Sequence, residues 1–344
     1  MVIILGIEST AHTFGIGIVK DGKVLSNIRE MYTTETGGIV PMESAKHHVD
    51  VAEDVWKRAL DEAGVVEGDI KGIAFSRAPG LAPCLIEGMK FAKKKALGLG
   101  ISLIPVNHCV AHLEIGRMTG ARHGRTPKNS SEEFLQGAKD PVLLYASGAN
   151  TQIIAYSAGK YRVFGETLDI GVGNFIDNFA RFIGKGFPGG PEVQRLAESG
   201  EYIELPYSIK GMDVSFSGIL TNLKQKFEKG AKIEDLSFSL QETVFAMLVE
   251  ASERALAHTG KNELLLGGGV GCNTRLQEMC KIMCKERGAK FFVPERPLLV
   301  DNGAMIAYLG EIMWKKGIKI EGKEIEKADI DARERTDDVE VSWK

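Results

Sequence analysis

The sequence lacks an apolar run long enough to span a bilayer, and no charged and then apolar leader precedes its first strand-like segment. Both absences argue against membrane insertion and secretion, so we predict a cytoplasmic protein without membrane contact. Cysteine is scarce, with five residues in a chain of 344. An odd number without a leader argues against a disulfide framework. Cys280 and Cys284, one helical turn apart, are predicted to pack in the core.

The sequence also lacks an excess of charge of either sign. It contains 43 Lys and Arg residues and 46 Asp and Glu residues, so its net charge is −3. The chain as a whole therefore does not attract polyanions, and any nucleic-acid partner must be held by local patches or by other subunits. Two runs of basic residues are candidates for such local patches, although runs of this kind are usually solvated faces of helices. They are Lys90, Lys93, Lys94 and Lys95 in the first run, and Arg117, Arg122, Arg125 and Lys128 in the second.

What the sequence does contain is an internal repeat. Residues 2–28 form an apolar run, a polar loop, a second apolar run, a tight turn and a third run, and residues 141–169 repeat this order. Between them, strand and helix patterns alternate, which is typical of an α/β lobe. We predict a duplicated two-lobe α/β fold of the actin, Hsp70 and sugar-kinase type, with mixed sheets and a central nucleotide cleft.

The segment VNHCVAH at residues 106–112 raises the possibility of a metal site. His108 and His112 at positions i and i+4 share one helical face, close enough to chelate one ion. The alternative is two packed histidines, with Asn107 as a helix cap. A metalloprotease needs Glu directly after the first His, and this chain has Cys109 there. Asp301, before the last helix, is either a helix cap or a third ligand of the same ion.

Glycine-containing loops predict a nucleotide site. The polar loops Ser9–Thr13 and Ser147–Gln152 hold corresponding positions in the two repeats, and their backbone N–H groups suit phosphate oxygens. The segment GGGVGCN at residues 267–273 joins a strand to a helix, and Asn273 begins that helix. The PGGP loop at residues 188–191, with Asp177 upstream, is predicted to lie beside the ribose of the nucleotide. Ordinary turns and caps are the alternatives for all of these features.

Taken together, these motifs resemble one family. The segments VNHCVAHLEIGR, YASGANTQ, GETLDIGVGNFIDNFAR, FPGGPE, KGMDVSFSG, GGGVGCNTRL, DNGAMIA and RTDDVEVSW are similar to the archaeal and eukaryotic form of the tRNA N6-threonylcarbamoyladenosine transferase. That enzyme is the catalytic subunit of the KEOPS complex and was once described as an O-sialoglycoprotein endopeptidase. The resemblance extends from residue 3 to residue 343, and its motifs are long and ordered.

The resemblance implies a set of site residues. It implies one iron or zinc ion, with iron favoured, held by His108, His112 and Asp301 with Tyr145 as a fourth ligand. Threonylcarbamoyl-adenylate or ATP would occupy the cleft. The residues implied to bind it are Tyr145, Ala146, Ser147, Gly148, Ala149, Asp177, Gly190, Gln194 and Asn273. Two of them depart from the family pattern: Ala149 replaces a glycine, and Gln194 replaces an acidic residue.

The implied reaction transfers the threonylcarbamoyl group from its adenylate to N6 of the adenosine 3′ of the anticodon, in tRNAs that read codons beginning with adenine. The implied partners are tRNA and the other KEOPS subunits, namely a Bud32-type kinase, a small dimerising subunit and a regulatory subunit. Two alternatives share the fold: an ATP-dependent small-molecule kinase and a non-catalytic, nucleotide-bound scaffold. The absence of the Glu after His108 makes a protease the weakest hypothesis.

The repeat also predicts domain boundaries. The first lobe is expected to comprise residues 1–116 together with about 303–325, and it includes the histidine helix. Residues 117–139 are expected to form a surface insertion or linker. The second lobe, with the nucleotide-binding loops, is expected at 140–302, followed by a C-terminal tail at 326–344.

Overall fold

The structure is a computed structural model, and it describes residues 2–34, 38–118 and 137–344. Two five-stranded mixed sheets dominate it. The first contains β1 (Ile3–Glu8), β2 (Thr13–Lys20), β3 (Lys23–Met31), β4 (Gly72–Ala78) and β5 (Ser102–Asn107). The second contains β6 (Val142–Ala146), β7 (Thr151–Ser157), β8 (Lys160–Glu166), β11 (Glu263–Gly267) and β12 (Lys290–Phe292), and β9 (Ile209–Lys210) and β10 (Asp213–Val214) form a separate hairpin.

Helices cover both sheets. They are α1 (Pro41–Ala63), α2 (Ala82–Leu99), α3 (His108–Ile115), α4 (Val172–Phe182), α5 (Gly190–Ala197), α6 (Ser217–Glu228), α7 (Ile233–Thr259), α8 (Thr274–Arg287), α9 (Arg296–Leu299) and α10 (Gly303–Lys315). Among the described residues, no helix combines the length and the hydropathy needed to cross a bilayer. Cys280 and Cys284 are buried in the core beside the second sheet, as predicted.

The predicted duplication is confirmed by the strand orders. The first sheet has the order β3-β2-β1-β4-β5 and the second β8-β7-β6-β11-β12, so each repeat opens with an antiparallel meander and continues with two parallel strands. The second hairpin of each meander turns through two residues with positive φ, Asp21 and Gly22 in one and Ala158 and Gly159 in the other. Such turns match the twist of paired strands.

Helix α10 lies directly against the first sheet because glycines remove the side chains between them. A Cβ at Gly6 would lie 2.1 Å from the backbone N of Ala307, and one at Gly17 would lie 2.2 Å from the N of Ala304. From the helix side, a Cβ at Gly303 would lie 2.2 Å from the N of Gly17. We call Gly6, Gly17 and Gly303 the glycine seam. It fixes the start of α10, and so the residues just before it, relative to β1 and β2.

The C-terminal segment contacts both sheets. On the side of the first sheet, Glu334 accepts hydrogen bonds from Arg77 at 2.8 Å and from the side-chain amide of Asn107 at 3.0 Å. On the side of the second sheet, the hydroxyl of Thr336 donates a hydrogen bond to the side-chain oxygen of Gln152 at 3.2 Å. Gln152 lies opposite Tyr145 in the ladder between β6 and β7. The segment therefore joins the strands that lead into the candidate site.

A buried histidine on α1 predicts acid sensitivity. His48 is 1 % exposed and packs beside Phe14, with ring centroids 5.5 Å apart. Burial, assisted by His47, lowers the pKa of His48 from 6.5 to about 4. Between these values the unfolded chain binds a proton that the folded chain excludes, so stability falls as the pH drops. We expect His48→Gln to remove about 2 kcal/mol of the stability loss between pH 7 and pH 5.

Urea unfolding at the two pH values measures this effect. The control is His258→Gln, because His258 is exposed on α7; this variant should keep the wild-type loss. Since Gln does not titrate in this range, the difference between the two pH values is informative even if His48→Gln lowers stability at both. An unchanged difference in His48→Gln would show that another group causes the acid sensitivity.

Candidate metal centre and nucleotide cleft

The two histidines are positioned by the junction of β5 and α3. Asn107 ends the strand and caps the helix, and its Oδ1 accepts a hydrogen bond from the backbone N of Val110 at 3.2 Å. The helical spacing then places His108 and His112 side by side, with ring centroids 4.7 Å apart. Both side chains are almost fully buried, at 4 % and 1 % exposure. Asn107 therefore caps α3 while the two histidines of that helix lie side by side, so the cap does not exclude a metal site.

Asp301 reaches this pair from far along the chain. Its Oδ1 lies 3.2 Å from Nε2 of His112 and 3.4 Å from Nε2 of His108. The helix-cap alternative for Asp301 is wrong, because Asn302 caps α10 by accepting from the backbone N of Met305 at 3.0 Å. The Asp301 carboxylate is thereby free to face the imidazoles.

These three residues fit a metal ion. One ligand atom from each lies within 4.8 Å of the others, and atoms about 2.1 Å from a tetrahedral ion are separated by about 3.4 Å. The hydroxyl of Tyr145 lies 3.0 Å from Nε2 of His108, on the same side as the carboxylate. A set of nitrogen and oxygen donors without thiolate suits iron and zinc alike.

Glu8 is a site residue that the sequence did not reveal. It ends β1, is fully buried, and its Oε2 lies 2.9 Å from Nδ1 of His108. Its other oxygen accepts from the backbone N of Thr10 at 2.7 Å. A carboxylate on the far nitrogen of a histidine fixes the ring and leaves Nε2 for an ion. The only available signal was its position directly before the Ser9–Thr13 loop.

The charges of the cluster are coupled. Burial opposes a charge on His108, but Glu8 and Asp301 outweigh it and hold the pKa of His108 well above its usual value. Burial alone would raise the pKa of Asp301, yet His108 and His112 bring it well below the usual value. Burial lowers the pKa of His112 and raises that of Tyr145. An ion bound here must displace the proton that the carboxylates favour on His108.

The loop that follows Tyr145 lies at the start of α4. The carbonyls of Ser147 and Gly148 accept hydrogen bonds from the backbone N of Gly173 at 3.0 Å and of Asn174 at 2.9 Å. Among the described residues, the non-glycine residues with positive φ do not include Ala149, so this departure from the family pattern causes no backbone strain. The loop therefore takes a defined shape with Ala at that position.

The remaining predicted residues form a second group. Oδ1 of Asp177 accepts from the backbone N of Gly189 at 2.7 Å, next to Gly190, and burial raises the pKa of Asp177. Gln194 on α5 donates to the Oγ1 of Thr274 at 3.1 Å, beside Asn273. A cavity of about 340 Å³ opens there, and its wall includes Gln194 and Thr274.

The side chain of Asn273 is engaged within the protein. Its Oδ1 accepts from the backbone N of Arg275 and Leu276, and its amide donates to Gln241. The glycine turn before it connects the two groups, because a Cβ at Gly268 would lie 2.4 Å from the carbonyl of Ala146. The turn thus lies against the strand end that carries Tyr145.

The first basic run proves to be paired. Lys90 contacts Glu87 at 2.7 Å, and Lys94 and Lys95 contact Glu53 at 3.2 and 2.9 Å. Lys93 donates to a backbone carbonyl. In the second run, Arg117 pairs with Glu114 at 2.9 Å, and its other members, Arg122, Arg125 and Lys128, lie outside the described residues, as does most of the predicted insertion. The lysine run is thus engaged within the protein, and the Lys95 side chain is only 16% exposed.

Fold and site together define a class: an actin-like duplicated protein with a candidate metal cluster beside its cleft loops. Solved structures support the fold. HypF of Thermococcus kodakarensis aligns with 94% of this chain and 48% of its own, with a TM-score of 0.62 at 15% identity. The activator of 2-hydroxyisocaproyl-CoA dehydratase from Clostridium difficile aligns with 93% of this chain and 99% of its own, with a TM-score of 0.53 at 13% identity.

Sequence comparison gives the family within this class. The model of the tRNA N6-adenosine threonylcarbamoyltransferase family matches residues 23–308. The protein of that name from Thermococcus sibiricus is 52% identical over 99% of this chain and 100% of its own length. A probable bifunctional tRNA threonylcarbamoyladenosine biosynthesis protein from Methanosarcina mazei is 51% identical over 99% of this chain and 59% of its own. The chain belongs to the tRNA N6-adenosine threonylcarbamoyltransferase family.

Proposed function

We propose that this protein transfers a threonylcarbamoyl group from its adenylate to N6 of the adenosine 3′ of the anticodon, with AMP as the leaving product. Family membership supports the reaction. The observation that carries the proposed mechanism is the approach of His108, His112 and Asp301 to one point. An ion held there, iron or zinc, would act as a Lewis acid on the carbamoyl carbonyl or the departing phosphate.

The protein's own groups mainly orient the two substrates. The exocyclic amine is a poor nucleophile because its lone pair is delocalised into the ring, so placing it against the acyl carbon is a large part of catalysis. The loop Tyr145–Ala149, held at the N-terminus of α4, is proposed to bind the phosphate through its own backbone N–H groups, because those of the first turn of α4 already donate within the protein. Asp177, Gly190, Gln194 and Asn273 are proposed to bind the rest of the nucleotide. We assign no covalent nucleophile.

The partners and the location are also proposals. The Methanosarcina relative extends well beyond the part that matches this chain, in keeping with a second activity that acts in the same pathway. We propose that this chain works in the cytoplasm with tRNA and with the KEOPS subunits implied by the resemblance. Because the lysine run is paired, we expect the accessory subunits to supply most of the affinity for tRNA.

A transfer assay with two tRNA transcripts tests the function. The chain, reconstituted with its accessory subunits, is given an adenylate with labelled threonine and a tRNA that has either adenosine or guanosine 3′ of the anticodon. We expect label only in the adenosine transcript, with one AMP released for each group transferred. Guanosine lacks the N6 amine, so equal labelling of both transcripts would refute the assignment. Phosphorylation of a small molecule without tRNA labelling would favour the kinase alternative.

A further inference from the structure

Two arginines beside the metal cluster have no carboxylate partner. Arg29 lies on β3 and Arg296 begins α9. In the part of the chain that the structure describes, neither guanidinium forms an ion pair with Asp or Glu. Nη1 of Arg29 is buried and lacks a hydrogen-bond partner. This distinguishes the pair from Lys90, Lys94 and Lys95 of α2, each of which contacts a glutamate.

The strand register shows where Arg29 lies. It is opposite Gly15 in the ladder between β2 and β3. A Cβ at Gly15 would be 3.6 Å from the Cβ of Arg29 and 3.1 Å from the backbone N of Gly303. Two residues earlier on the same face of the strand, Asn27 donates to the carbonyl of Pro297 at 3.0 Å. Arg29 thus lies between the start of α10 and α9, next to the segment that carries Asp301.

The charges around this position are unbalanced. Burial lowers the pKa of Arg29, and the nearby Cys272 and Asp301 only partly oppose that effect. Arg296 lies near enough to both Cys272 and Arg29 for its charge to act on each of them. Two cations therefore flank one thiol near the metal cluster. A partly buried cation without a counter-ion is unfavourable, and an oxyanion placed between the two guanidinium groups would remove that penalty.

We propose that Arg29 and Arg296 bind a phosphate of the tRNA backbone next to the adenosine that is modified. The inference rests on the proposed function and adds the residues that hold the acceptor. The carboxylate or phosphate of the acyl donor offers the same oxyanion chemistry. The exposure of Arg296 favours the tRNA, because a phosphodiester chain passes outside the cleft whereas the donor must lie within it. When N6 of the adenosine lies beside the metal cluster, the covalent geometry of the nucleotide places the neighbouring phosphates at the entrance of the cleft.

The test compares Arg296→Gln and Arg29→Gln with the wild-type chain in the reconstituted complex. We expect the KM for tRNA to rise about tenfold in each, and the slope of log affinity against log salt to fall by about one. The KM for the donor and the metal content should not change. Filter binding of unmodified tRNA without donor gives the same comparison, and it stays informative if the proposed transfer reaction fails.

Arg58→Gln is the matched control, because it removes the same charge from a side chain already paired with Glu30 and Asp54; it should leave the KM for tRNA unchanged. If Arg29→Gln does not fold, Arg296→Gln carries the test alone, since Arg296 is exposed. A higher KM for the donor with unchanged tRNA binding would assign the arginines to the donor and overturn the proposal. Unchanged values for both substrates would also overturn it.

Discussion

Replacing both His108 and His112 with Ala is expected to abolish ion binding and to reduce tRNA modification by roughly a thousandfold, the scale of a lost Lewis acid. The double variant leaves Asp301 as the only ligand of the three-residue cluster, and one carboxylate does not retain iron or zinc. Elemental analysis of protein purified without added metal or chelator gives the ion content. Single-turnover transfer with saturating donor gives the rate. In this variant α3 keeps its cap and its apolar contacts.

Graded variants separate loss of the ion from general damage. Glu8→Gln keeps the size of the side chain but weakens its hold on Nδ1 of His108, and we expect the metal affinity to fall about 10- to 100-fold. Added metal should restore the rate of Glu8→Gln but not that of the double variant. His258→Ala, exposed on α7, is the control and should behave as wild type. Undiminished transfer by a protein without metal would refute the mechanism and leave the fold assignment intact.

Adding one methyl group to the glycine seam is expected to destabilise the protein by at least about 3 kcal/mol, the upper end for overpacked sites. In Gly17→Ala the new Cβ would lie 2.2 Å from the backbone N of Ala304. Backbone cannot rotate away as a side chain does, so α10 must move. Asp301 precedes this helix by two residues, and we therefore expect a weaker hold on the ion at temperatures where the variant is still folded. Urea unfolding and metal titration measure the two effects.

Gly98→Ala is the matched control for this experiment. Gly98 lies on the exposed side of α2, and nothing would lie within 4 Å of its added Cβ. Because Ala favours a helix more than Gly does, this variant should be more stable by up to about 1 kcal/mol. Should Gly17→Ala keep both the stability and the metal affinity of wild type, the close approach of α10 to β2 is not what positions Asp301.

Much of the architecture was predictable because the repeat appears in the local pattern of apolar runs and turns. The antiparallel meander that opens each sheet follows from it. The pairing of His108 with His112 was also predictable, since both lie within one helical turn. For Asp301 the pattern allowed a cap or a ligand, and only the structure shows that the adjacent Asn302 is the cap.

Contacts between distant segments could not be predicted in this way. Glu8 reaches His108 across 100 positions, and no periodicity marks a carboxylate that ends a buried strand. Thr336 meets Gln152 across 184 positions, and the sequence pattern around Thr336 did not indicate this partner. Local patterns decide which element forms and which face it buries. The partners of that face depend on the path of the whole chain.

The glycine seam makes the cluster asymmetric. Through it, α10 holds Asp301 against the first sheet, and α3, which carries the histidines, follows β5 of that sheet and packs on α10. Tyr145 instead lies next to the last residue of β6 in the second sheet. A rotation of one sheet against the other would change the distance between the phenol of Tyr145 and the carboxylate of Asp301. The visible absorption of cobalt bound at this centre would then report how close the Tyr145 phenol lies to the ion, and so how far the two halves have closed.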